Sequence, residues 1–521
     1  MICNVRNVVR TFALFALFAG ACAEPRNDGP TDPNEPSNDP DGAPDPSSPP
    51  SDVPSLGTAV TVHLIPQQTA AAVERVSFAV PLQRGQLASA GAVRVLANGV
   101  ELPAARRALA HYRDGSVRSV QLQVDAPATA ESDLEVRLGE TPGAGELERV
   151  AVEQTLTPAD GTQGPRVWAV LPAEWLAASG VAGVMLTQAE AMTQSMSTWS
   201  SLCDYDRWDT DAFLPQMSDR AVWLYDRATV FYRGYAQRGD LSPLRSAYRE
   251  ASIYRNGVTG TGSATRISIP TAADDLKYHY TQNLAIHYLL TGDDRFREAA
   301  ENVAFRVAEL WRDPGYAGGD DFWTERNAGF ALLAYVWAMT VSDDHAPELQ
   351  ALADAAVRAY AEDQDSYPPN GESDARCFAH TAEAHGEDFG TWGCSPWMSG
   401  ILADGLDGYA AERGGDEAGL ARDAIIKLGT MLARHGRDDD GKPYYWMALD
   451  GHGEIDPYDE HWGESAYIVA MAWHYGGRTS AELKTAADEL VDGLDEHGEV
   501  GQLRSFNWQC RSATATPRFL R

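Results

Sequence analysis

Residues 278–311, YHYTQNLAIHYLLTGDDRFREAAENVAFRVAELW, decide the fold, because they hold a complete helix-turn-helix. In the second limb Phe296, Ala299, Ala300, Val303, Ala304, Val307, Leu310 and Trp311 recur at steps of three and four, the period of one apolar helix face. Glu298, Glu301, Arg306 and Glu309 lie mostly off that face. The link Thr291-Gly292-Asp293-Asp294 stops one helix with glycine and offers the next a carboxylate cap. The first limb is apolar at Leu284, Ala285, Tyr288 and Leu289, yet it carries Tyr280, Asn283 and His287 on one shared face. Such a face points into a cavity or a core, and for His287, deeper in the helix, a core position is expected.

Working outward, the same unit recurs. Apolar limbs run over 221–237 and 242–255, 279–311, 325–362, 396–435 and 463–497, with turns near Gly239-Asp240, Gly292-Asp293, Ser342-Asp343, Gly415-Asp416 and Gly477-Arg478. Hairpins of unequal spacing predict inner and outer helices in a ring, an α/α toroid over 205–500, with a plain α-solenoid as the alternative. Residues 501–521 read as a tail. Between 57 and 150 the period changes to two. TAVTVHLI, RVSFAV, AVRVLANGVELP, SVRSVQLQV and DLEVRL read as strands of an antiparallel β domain, with Asn98-Gly99 and Asp114-Gly115 at hairpin turns. The fold class is therefore α+β multidomain. A transitional segment, 151–204, reads as a strand, a short helix and another strand.

The N-terminus reads as an export signal. Arg6 and Arg10 precede TFALFALFAGA, too short to cross a bilayer as a helix, and Ala19-Gly20-Ala21-Cys22 resembles a lipobox with Cys22 as the lipidated residue; plain cleavage and secretion is the alternative. Residues 23–56, rich in Pro, Asp and Ser, read as a disordered tether. The expected location is the bacterial cell envelope, with membrane contact through the lipid only. Setting aside Cys3 and Cys22 leaves Cys203, Cys377, Cys394 and Cys510, enough for two disulfides in an oxidising compartment. Cys377 with Cys394 is the favoured pair because it closes a short loop. The formal charge of −33 over 521 residues argues against a nucleic-acid partner, which needs a basic footprint.

Chemistry is expected at the entries to the inner helices. Tyr225, Asp226 and Arg227 precede the first; Tyr278, His279, Tyr280, Gln282 and Asn283 the second; Trp323, Glu325, Arg326 and Asn327 the third. His380, Glu383, His385, Asp388, Trp392 and Trp397 surround the fourth, and Asp459, Glu460, His461, Trp462 and Glu464 the fifth. Aromatic faces suit pyranose rings, and the charged and amide groups can fix hydroxyls or a carboxylate. The bland readings stand beside these: Tyr280 as packing, Glu325 and Arg326 as an ion pair across hairpins, Trp323 and Trp397 as groove seals. Neither a zinc H-E-x-x-H, a Walker loop nor a G-x-S-x-G elbow is present, and no metal ligand set is expected. Asp438-Asp439-Asp440-Gly441 could take calcium but lacks alternating ligands, so a solvated turn is expected and no cofactor is assigned.

On HYRDGSVRSVQLQV (111–124), YHYTQNLAIHYLLTGD (278–293) and WTERNAGFALLAYVWAM (323–339), the chain resembles the α/α-toroid polysaccharide-active enzymes, and most of all the rhamnogalacturonan exolyase-like group. That resemblance implies a polysaccharide substrate and β-elimination next to a uronate carboxylate, which needs a group to stabilise the enolate and a base at the neighbouring carbon. Arg326, Asn283 and Gln282 are the candidates for the carboxylate, and His279, Tyr280 and His461 for proton transfer. Arg227, Trp323, Glu325, His380, His385, Trp397 and Glu464 complete the expected substrate-binding set. A glycoside hydrolase, drawing on Asp226, Glu325, Asp404, Glu460 or Glu464, and a non-catalytic glycan-capturing lipoprotein are the alternatives.

Overall fold

Alternating burial builds the N-terminal domain. Strand β1 (Ala59–Pro66) turns Val60, Val62 and Leu64 inward and their neighbours outward. It pairs antiparallel with β7 (Ser132–Leu138) on one side and β8 (Val167–Val170) on the other. With β3 (Val93–Ala97) and β4 (Val100–Glu101) these form a sheet of order β4-β3-β7-β1-β8. A second sheet, β2-β6-β5, joins β2 (Val73–Pro81), β6 (Val117–Pro127) and β5 (Ala104–His111). Asn98 and Gly99 both take positive φ, as a tight two-residue hairpin requires. The structure, a computed structural model, describes residues 54–192, 202–312, 324–367, 371–381, 392–449, 453–455, 459 and 461–521; all fall in the unit Pro49–Arg521. The expected signal, Cys22 and most of the tether lie outside the described residues.

The segment read as transitional contributes β8 to the first sheet, followed by α1 (Ala173–Ser179). The second strand expected there is a bend with a single bridge between Val181 and Gly183, because glycines at 180 and 183 take positive φ and turn the chain.

Five helical hairpins follow. They are α2 (Arg227–Arg238) with α3 (Leu241–Gly257), α4 (Gln282–Thr291) with α5 (Asp294–Leu310), α6 (Glu325–Val341) with α7 (Ala346–Ser366), α8 (Pro396–Arg413) with α9 (Gly415–His435), and α10 (Trp462–Tyr475) with α11 (Ala481–His497). Every residue of α4 is buried, and α10 is buried at nearly every position, so these helices can only be internal. Helix α5 keeps a single apolar stripe, as an outer helix must. The segment 501–521 is not a tail: α12 (Leu503–Ala513) and α13 (Thr516–Leu520) are buried, and α12 packs between α10 and α2. The inner series α2-α4-α6-α8-α10-α12 thereby returns to α2, and the ring is a closed α/α toroid. Cys203–Cys510 ties α12 to the segment before α2, and Cys377–Cys394 forms as the short-loop reasoning expected.

The β domain sits against the C-terminal ends of the inner helices. Ser119 Oγ donates to Leu289 O at 2.6 Å and Gln121 Nε2 to Thr291 O at 3.1 Å, meeting carbonyls that the end of α4 leaves open. Arg107 reaches Gly292 O and the Asp294 carboxylate, and Arg118 pairs with Glu412 at 2.8 Å at the end of α8. Gly292 is required twice: its φ is +74°, and a Cβ there would come within 2.3 Å of Gln121. With that end occupied, the helix N-termini form the opposite mouth.

Candidate active site

The mouth begins at a strained turn. Tyr225 and Asp226, neither a glycine, take φ of 71° and 55° in succession just before α2. Such conformations cost of order 1–3 kcal/mol each and persist only where surroundings enforce them. Here Asp226 accepts from Asn283 Nδ2 at 2.8 Å, Asn283 N at 3.2 Å and Thr229 Oγ1 at 2.7 Å, and burial pushes its carboxyl up. From α12, Asn507 Nδ2 donates to Val222 O and Leu224 O, and Arg511 Nη1 to Tyr225 O. The turn aims the Tyr225 ring between Trp397 (6.0 Å), Trp508 (5.9 Å) and Phe330 (6.2 Å). Its hydroxyl is buried and meets no hydrogen-bond partner among the described residues. Burial holds that hydroxyl far above its usual pKa, so it is protonated at neutral pH, with Arg326, Glu464, Tyr445 and Glu325 as its charged or polar surroundings.

An aromatic wall stands beside it. Trp397 stacks on His461 at 4.8 Å and 15°, Trp508 lies 5.1 Å from His461, and Tyr445 lies 5.5 Å from Trp397. The Arg326 guanidinium sits 5.4 Å over the Trp397 ring, and its Nε has no partner among the described residues. His461 Nδ1 is 3.6 Å from Glu464 Oε1. Three helices and one strand bring these groups within reach: α6 supplies Arg326, α8 Trp397, α10 Glu464, and β11 (Tyr444–Ala448) Tyr445. That strand belongs to a small rim sheet, β9-β10-β11-β12, with β9 (His380–Thr381), β10 (Trp392–Cys394) and β12 (Gly453–Ile455).

Glu325 braces this sheet. Its carboxylate takes His380 Nε2 at 2.6 Å and Ser395 N at 2.8 Å, all within the buried interior, and Cys377–Cys394 staples the strands on either side. Below, Asp404 lies between Arg233 (2.7 and 2.9 Å) and Arg511 (2.7 Å) and accepts from Tyr467 at 3.2 Å. Burial works to raise this carboxyl, but the two guanidiniums hold it below its usual range.

The sequence-predicted residues therefore divide. Arg326, His461, Trp397 and Glu464 converge. Tyr280 does not join them: its hydroxyl donates to Trp223 O at 2.8 Å, and its ring packs on Tyr254 and Phe330. His279 lies beside Arg306 of the outer helix α5 and Asp274; its Nδ1 bonds Asp275 O at 2.9 Å, and burial lowers its pKa to about 4. Arg227 forms a buried pair with Glu250 at 2.8 Å. Gln282 accepts from Arg511, Asn283 braces Asp226, and Glu325 with His380 is a buried support. His287, bonded to Tyr232 at 2.7 Å and stacked on Phe296, is a core residue as expected. Trp323 and His385 lie outside the described residues.

Sequence reasoning misses Tyr445 and Trp508 and expects Tyr225 only as one of the inner-helix entry residues. Tyr225 stood among the entry residues but without a signal of its left-handed turn, and Trp508 fell in the presumed tail. Among the described residues no group of acidic, histidine or cysteine side chains forms a metal site. In 438–441, Asp438 Oδ1 instead accepts the amides of Asp440 and Lys442, closing a turn.

Residues 58–139 match the family model of the PcRGLX-like N-terminal RIFT barrel domain. Among curated proteins none matches the chain. Solved structures with a similar fold include a polysaccharide lyase (13% identity, 62% of this chain and 98% of that one, TM-score 0.43). A glycosyl hydrolase family 88 protein from Bacteroides vulgatus matches at 12% identity over 62% of this chain and 99% of that one, TM-score 0.43. A cellobiose 2-epimerase from Bacillus thermoamylovorans matches at 12% identity over 55% and 76%, TM-score 0.39. The resemblance drawn from sequence is thus met in the first domain, where residues 58–139 match the PcRGLX-like N-terminal RIFT barrel model.

Proposed function

We propose that the chain is a carbohydrate-active enzyme that cleaves a uronic-acid-containing glycan by β-elimination. The observation that carries this reading is the meeting, on one aromatic wall, of Arg326, His461 and the Tyr225 hydroxyl, which has no partner among the described residues. The partly exposed Tyr445 ring offers a face for the sugar, Trp397 backs His461 and Arg326, and Arg326 binds the uronate carboxylate, withdrawing charge from the adjoining carbon. The His461 imidazole takes the proton from that carbon. The electron pair left behind forms the new carbon-carbon double bond, the bond to the glycosidic oxygen breaks, and Tyr225 gives its proton to that oxygen. Exchange with water returns both side chains to their starting states.

The two disulfides fit an oxidising, extracytoplasmic compartment, and among the described residues no helix is long and apolar enough to cross a membrane. We extend the proposal to export with lipidation at Cys22, tested by metabolic labelling with a radioactive fatty acid: loss of label in Cys22→Ala supports it, and an unlabelled wild type overturns it. The reaction is tested with a panel of uronic-acid and neutral polysaccharides. An unsaturated uronide among the products supports elimination, reducing ends without unsaturation indicate hydrolysis, and binding without products indicates glycan capture.

A further inference from the structure

Three consecutive inner-helix entries each deliver one cation to the same stretch of the mouth. Arg220 lies in the short turn before α2, Lys277 in the turn before α4, and Arg326 in the first turn of α6. Tyr278 sits among them: the Arg220 guanidinium lies 5.8 Å over its ring, and Lys277 is its chain neighbour. Arg326 links this group to the aromatic wall through Trp397. Arg220 is exposed and, among the described residues, makes no ion pair. Lys277 is only partly compensated, by Asp275 at 3.6 Å, and Asp219 is the other nearby acid.

This arrangement runs against the character of the chain. Acidic residues number 75 against 42 basic ones, so a compact group of three cations does not follow from composition. Like charges held together repel one another: burial first, then Arg326, lower the ammonium pKa of Lys277, Asp275 pulls the other way, and Arg220 adds a smaller lowering. The inner-helix N-termini add partial positive charge to the same mouth. An anion would relieve that repulsion, and Arg326 alone suffices for the carboxylate at the reacting sugar.

We propose that Arg220 and Lys277 extend the Arg326 position into a second acidic subsite, which selects glycans carrying a further carboxylate one or two sugars from the reacting uronate. The inference rests on the elimination reading for the role of Arg326, but not for its test. Binding of galacturonate, digalacturonate and trigalacturonate is measured by calorimetry for the wild type, Arg220→Ala/Lys277→Met, and Lys277→Arg.

The wild type should bind one of the longer acids at least roughly tenfold tighter than the monomer, and the margin should shrink as salt rises. The double variant should lose that margin while keeping its affinity for the monomer and its melting temperature; Lys277→Arg should retain it. Equal affinities in the wild type, no binding of any probe, or an unaltered margin in the double variant overturns the proposal. Preferential binding without an unsaturated product would retain the subsite and reject the elimination reading. Elimination with an unaltered margin would do the reverse.

Discussion

Replacing Tyr225 with phenylalanine should move stability and turnover in opposite directions. The substitution removes one oxygen and leaves the ring against Trp397, Trp508 and Phe330. That oxygen is buried without a described partner, and an unmade hydrogen bond at such a site costs roughly 1–3 kcal/mol. Its removal should therefore stabilise the fold. For a unit of this length, unfolding entropy makes 1 kcal/mol worth about 1 °C, so melting should rise by roughly 1–3 °C. Loss of a proton donor to the leaving oxygen should lower turnover by roughly 10²–10⁴-fold. Melting by calorimetry and initial rates on a cleaved glycan test both. Unchanged turnover with the expected rise in melting would refute the role of Tyr225, and a fall in melting would refute the description of its hydroxyl as unpartnered.

Other substitutions probe the surrounding structure. Arg326→Ala should lower kcat/KM by roughly 10²–10³-fold, while Arg326→Lys, which keeps charge without the planar fork over Trp397, should recover only part of the loss. At His279 the folded imidazole has a pKa of about 4, below its unfolded value of about 6.5. The unfolded chain thus binds the proton first, and stability complete above pH 6.5 falls toward pH 4 by about 3 kcal/mol. His279→Asn should flatten that fall in denaturant titrations at pH 7 and pH 5. Asp404→Ala strands two buried guanidiniums and should cost roughly 3–5 kcal/mol in the same assay, with Asp404→Glu restoring a fraction.

Much of the helical layer was legible because its signal is local. The apolar stripe of 296–311 and the Gly292-Asp293 stop and cap each follow from a few neighbouring residues, and both appear where expected. The sixth inner limb was not legible, because 503–513 is polar by composition: Asn507, Gln509 and Arg511 are buried only because Leu224, Gly463 and Asp404 supply partners from distant parts of the chain. The same reason separates the site residues. Arg326 and His461 could be chosen from their positions before apolar helices, but nothing near Tyr280 reveals that Trp223 satisfies its hydroxyl, and nothing near Tyr225 reveals that none is offered. Partnering of buried polar groups is a property of the closed ring, not of the local string.

The most direct test of the proposed reaction is absorbance at about 232 nm, where a conjugated unsaturated uronate absorbs, during incubation with uronic-acid polysaccharides. The wild type should generate this signal in step with new chain ends, and Tyr225→Phe and Arg326→Ala should nearly abolish it. New reducing ends from the wild type with no absorbance change would contradict elimination.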